Sequence, residues 1–98
     1  MSTENELLLQ RLISSEIKTD LLTLFHRNPG LVDTITGIAL RIGRSDAEVA
    51  GGVKDFLDLG LLTKRTLGKT KMEVIQLNRS RDREIQASIE RYVTGLKK

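Results

Sequence analysis

The sequence predicts a mainly α chain with a small β-hairpin, and two observations carry that reading. Apolar residues recur at i, i+3, i+4 and i+7 through most of the chain, the spacing of one helix face. Between Gly60 and Leu77 that period gives way to two short, partly β-branched runs around Gly68. A third observation bounds the size. Of 98 residues, Leu, Ile, Val and Phe make up 31, enough for one core and too few for two independently folded domains.

The elements follow in order. Thr3-x-x-Glu6 has the spacing of a capping box ahead of Leu7, Leu8, Leu9, Leu12 and Ile13, which predicts a helix over about residues 4–13. Ser14 and Ser15 are both able to cap a second helix with Ile17, Leu21, Leu24 and Phe25 on one stripe, and Asn28-Pro29-Gly30 stops it. Ile35, Ile38, Ala39 and Ile42 form a third stripe ended by Gly43, which supplies a left-handed cap. Ser45 or Asp46 caps a fourth helix, with Val49, Val53, Phe56 and Leu57 inward and Gly60 at its end. In the hairpin, Ile75 and Leu77 are spaced to face the helices, although Val74 between them is apolar too. Ser80 is the expected cap of a last helix, residues 81–96, with Ile85, Ile89, Tyr92, Val93 and Leu96 as its stripe. The whole of 1–98 reads as a single domain with its core unit at 16–78 and one flanking helix on each side.

Composition excludes several classes of function. With no cysteine and one histidine there is no disulfide framework, no thiolate zinc site and no cysteine nucleophile, so neither metal nor cofactor is expected. Apolar runs stop at three residues, as in Leu7 to Leu9, far short of the roughly 20 that span a bilayer. The opening MSTENE is acidic where a secretion signal starts basic, and the chain is expected in the cytoplasm, away from membranes. Gly68-Lys69-Thr70 copies the end of a phosphate-binding loop but lacks its earlier glycine and its following helix. His26 reads as a helix C-terminal residue favoured by the dipole, and the Asp55/Asp58 pair as a solvated helix surface. No constellation points to an enzyme.

The net charge of +3 hides a division, because residues 1–60 sum to −3 and residues 61–98 to +6. The late cations create a local field able to attract polyanions.

Helix, helix, tight turn, helix, hairpin is the order of a winged helix-turn-helix domain, and the sequence resembles that superfamily at Ala39, Gly43 and Val49. There a small residue lets two helices cross, a glycine makes the left-handed turn and an apolar residue buries the front of the next helix. Val53, Phe56 and Leu59 to Leu62 continue the pattern of a recognition helix running into a wing. The extra terminal helices are similar to those of the MarR and ArsR type of transcriptional regulator.

The resemblance implies double-stranded DNA as partner. Its contacts would come from wing and turn cations Lys64, Arg65, Lys69, Lys71, Arg41 and Arg44, with Lys54, and from a recognition-helix face of Ala47, Ala50 and Gly51. Ala50 and Gly51 stand where relatives place base-reading side chains, so the expected grip is on phosphates. The terminal helices either fold back or form a two-fold interface. A homodimer through Leu8, Leu12, Ile89 and Val93 is favoured, because exposed apolar patches mark interfaces. The alternative is a protein-protein interaction module using the acidic, glycine-containing helix before the hairpin. Gly51 and Gly52 have two readings there, close packing of another segment or close approach to a partner.

Overall fold

In a computed structural model, residues 4–96 are described. The chain forms α1 (Glu4–Ile13), α2 (Glu16–Arg27), β1 (Val32–Asp33), α3 (Ile35–Ile42), α4 (Asp46–Asp58), β2 (Leu62–Leu67), β3 (Met72–Leu77) and α5 (Arg79–Leu96). Thr3 lies outside the described residues, as do the side chains of Leu8, Tyr92, Val93 and Leu96.

Local chemistry sets the boundaries. Ser15 Oγ accepts from the Lys18 N–H at 3.3 Å and Thr34 Oγ1 from the Gly37 N–H at 3.0 Å, satisfying backbone donors that a helix start leaves open. Ser45 and Glu48 form a reciprocal capping box, each side chain accepting from the other's backbone N–H at 3.2 Å. Gly43 closes α3 at φ 67°, and the Arg44 N–H returns to the Ala39 carbonyl at 3.0 Å. The cap of α5 is Asn78 and not Ser80: Asn78 Oδ1 accepts from the Arg81 N–H at 3.2 Å, so the helix begins at Arg79, earlier than the sequence pattern suggests.

The sheet has three strands in the order β1-β3-β2, both pairings antiparallel. The hairpin is in register from Leu62 opposite Leu77 to Leu67 opposite Met72. Beyond it, Val32 and Asp33 add a short edge strand against Gln76 and Ile75 that two residues of sequence cannot signal. Ile75 and Leu77 face the helices, while Val74 pairs with Arg65 on the opposite side of the pleat.

One core joins Leu21 and Phe25 of α2, Ile38 and Ala39 of α3, Val49, Val53 and Phe56 of α4, and Leu62, Ile75 and Leu77 of the sheet. The flanking helices close over it. Leu12 is 3% exposed and Ile85 2%, both within the same core, and Ile89 packs against its edge. This corrects the expected interface at one position, because Leu12 is already covered by its own chain. The element order and the sheet are those of a winged helix-turn-helix fold with a helix added at each end. Among the described residues no helix is long and apolar enough to cross a membrane.

Candidate nucleic-acid interface

The third helix of the winged unit, α4, buries Val49, Gly52, Val53 and Phe56 and leaves Ala47, Ala50, Gly51 and Lys54 exposed. Gly52 and Gly51 have different surroundings. A methyl at Gly52 would stand 2.8 Å from Leu21 Cδ1 of α2, whereas one at Gly51 would meet nothing within 4 Å. Close helix packing accounts for Gly52, and Gly51 belongs to the open face.

The acidity of α4 is partly compensated inside the chain. Asp55 receives the Lys18 ammonium at 2.7 Å, and that hydrogen bond holds its carboxyl below the usual carboxylate range. Glu48 is held low chiefly by the Ser45 N–H, with the Ser45 hydroxyl and Arg44 adding to it. Asp46 accepts from the Thr36 hydroxyl at 2.6 Å.

The structure separates the predicted cations into two groups. Arg44 is enclosed by three carboxylates, with Asp20 at 3.0 Å, Glu16 at 3.3 Å and Glu48 at 3.5 Å. Its pKa is raised, first by the hydrogen bond to Asp20. One guanidinium among three carboxylates leaves a local excess of negative charge, so Arg44 is poorly placed to attract phosphate. Arg41 is tied by its Nε to Asp33 at 3.0 Å. Both were expected at the turn between the two helices, and the nearest acid of each, Asp33 and Asp20, lies earlier in the chain.

The wing differs. Lys64 pairs with Glu73 at 3.3 Å, but among the described residues no carboxylate lies within 4 Å of the charged ends of Lys54, Arg65, Lys69 or Lys71, all exposed. The tip is fixed by Thr70: its hydroxyl donates to the Leu67 carbonyl at 3.0 Å and accepts from the Met72 N–H at 3.3 Å. Lys71 takes the left-handed conformation at φ 54°, which reverses the chain between the strands.

Two further clusters have no clear sequence signal. Lys18, 11% exposed, spends its three N–H donors on the Arg11 carbonyl, the Ser14 hydroxyl and Asp55. His26 does lie in the last turn of α2, but its Nε2 also meets Asp82 of α5 at 2.9 Å, and Gln86 donates to the same carboxylate at 2.8 Å. That contact pins α5 to α2.

No family model matches the chain, and no curated protein matches its sequence. Among solved structures, the chain is similar to a possible transcriptional regulator from Methanosarcina mazei Go1, with a TM-score of 0.65 and 11% sequence identity. The similarity covers 97% of this chain and 84% of that one. At that identity the two share a fold.

Proposed function

We propose that the chain is a DNA-binding protein of transcription regulation that holds backbone phosphates through its wing. The observation that carries this reading is the wing itself, where Arg65, Lys69 and Lys71 stand exposed and uncompensated around a turn fixed by Thr70. Lys54 of α4 extends the positive surface, and Lys64 of β2, paired with Glu73, lines the same groove with Ala50. Ala47, Ala50 and Gly51 offer no side-chain hydrogen bond, so binding is of low sequence specificity. The similarity to a possible transcriptional regulator supports the regulatory role. Arg41 and Arg44 drop out of the grip because their charge is already answered.

The chain acts as one domain, and two copies associate through the terminal helices to present two wings. With Leu12 buried, the association uses Leu7 and Ile13 of α1, which are 56% and 55% exposed. The reading of α4 as an acidic protein-docking helix has less support, because Glu48 and Asp55 are both engaged within the chain.

The test is a titration of mixed-sequence duplex DNA at two salt concentrations. Replacing Lys69 and Lys71 by glutamate is expected to weaken binding to all sequences alike and to flatten the salt dependence by about two phosphate contacts, with melting unchanged. Unchanged affinity and slope in the folded double variant overturn the wing as the grip.

A further inference from the structure

Side chains alternate across a sheet, so the register that turns Leu62, Ile75 and Leu77 toward the helices turns a second set away from them. That outer face carries Val32 of β1, Arg65 and Leu67 of β2, and Met72 and Val74 of β3, completed by the uncharged pair Thr63 and Gln76. Val32, Leu67 and Met72 are 42%, 39% and 48% exposed, and they are three of the six large apolar side chains left exposed among the described residues. Single exposed apolar residues are ordinary on a protein surface, whereas half of them gathered on one face of one small sheet mark a contact surface. The charge on this face is one-sided too. Glu73 stands on the inner face beside Lys64, so the outer face holds no carboxylate, and Arg65 lies at its middle with Lys69 and Lys71 at the end of the hairpin.

The face also has a period. Its side chains form three cross-strand rows: Leu67 with Met72, Arg65 with Val74, and Thr63 with Gln76 and Val32. Successive rows are two residues apart, or about 7 Å, close to the roughly 6 Å by which four residues advance along an α-helix. A helix laid along the strands therefore meets one row per turn, through its positions i, i+4 and i+8.

We propose that the outer face of the sheet docks an acidic amphipathic helix of another protein. Apolar side chains at i and i+8 cover the Leu67–Met72 pair and Val32, and a carboxylate at i+4 meets the Arg65 guanidinium, with further acids beside Lys69 and Lys71. Charge complementarity selects this occupant. A second copy of the chain would set the cations of two identical faces against each other, and a basic helix would meet three cations with no acid among them. The site goes beyond the DNA-binding reading, because Val32, Leu67, Met72 and Val74 lie on the side of the sheet turned away from α4.

The experiment uses the full chain, with its backbone amide resonances followed in solution. Two peptides of about 18 residues, long enough to hold a helix, serve as probes. Both carry leucine at i and i+8; one has glutamate at i+4 and along its rims, the other lysine. Saturable shifts centred on Val32, Arg65, Met72 and Val74 are expected with the acidic peptide and none with the basic one. Met72→Ser is expected to weaken binding about tenfold, as loss of an apolar anchor does, and Arg65→Glu to remove the preference for the acidic peptide. Both positions are exposed, and the same spectra report that each variant is folded. Failure of the acidic peptide to saturate, equal binding of the basic one, or an unchanged Met72→Ser overturns the site. Shifts at these residues on diluting the chain alone would assign the face to a second copy, and duplex DNA that moves Val32 and Val74 would assign it to nucleic acid; either result overturns the docked helix.

Discussion

Two adjacent glycines in one helix carry different physical roles, and the difference is set by a neighbour rather than by the residues themselves. Each costs a helix interior about 1 kcal/mol relative to alanine. At Gly51 nothing offsets that cost, because no atom stands within 4 Å of an added methyl. At Gly52 the methyl would press on Leu21, which is fully buried and has little room to swing aside. Gly51→Ala is therefore expected to stabilise the chain by about 0.5–1 kcal/mol, and Gly52→Ala to lose that gain to overpacking of about 1–3 kcal/mol. Urea unfolding midpoints measure both, and an equal gain from the two variants would show that α2 does not need a glycine under it. The sequence displays the pair but cannot rank its members, since Leu21 reaches Gly52 only through the crossing of α2 and α4. By contrast, Gly43 was legible from its place after an apolar stripe, because a left-handed helix end is a local demand.

The helices show the same boundary between local and non-local information. Their caps at Ser15 and Ser45 were readable, since the donors they satisfy lie three residues on. The role of Lys18 was not: a lysine beside an apolar stripe reads as solvated, yet its ammonium joins the end of α1 to α4 through Arg11, Ser14 and Asp55. The pairing of Arg44 is non-local in the same way, as its carboxylates Glu16 and Asp20 come from α2. The link between α2 and α4 also has a pH signature. Asp55 titrates below its ordinary range in the folded chain, through Lys18 first, so its contribution to stability is present above that range and is lost as the pH falls through the folded value. Asp55→Asn is expected to melt below the wild type at neutral pH. The gap should begin to narrow as the pH drops below about 4 and close as it falls through the lower folded value, where the wild-type carboxylate becomes protonated as well. A gap that stays constant across that range would mean the ion pair contributes nothing beyond packing.

At the scale of the molecule, charge and apolar surface divide along different lines. Acids of residues 1–60 enclose Arg44 and pair with Lys18, whereas Arg65, Lys69 and Lys71 of the wing meet no carboxylate within 4 Å among the described residues, so the contrast between −3 and +6 in the sequence becomes a spatial one. The terminal helices carry apolar residues beyond those of the winged unit. On sequence alone those residues had to be covered either by the domain or by a second copy, and the domain covers only some of them. Leu12 and Ile85 enter the chain's own core, while Leu7 and Ile13 remain exposed. This division separates stability from association. Leu12→Ala is expected to cost about 2–5 kcal/mol of folding stability, the usual range for truncating a buried leucine. Replacing Leu7 and Ile13 together by serine removes little buried area, so melting of a dilute sample should barely change. Sedimentation at tens of micromolar should then find a dimer for the wild type and a monomer for the double variant, since dimer stability depends on protomer concentration. The two readouts move independently only if the core and the interface are distinct surfaces. A wild-type chain that stays monomeric at that concentration removes the paired-wing arrangement and leaves phosphate binding to one wing per molecule.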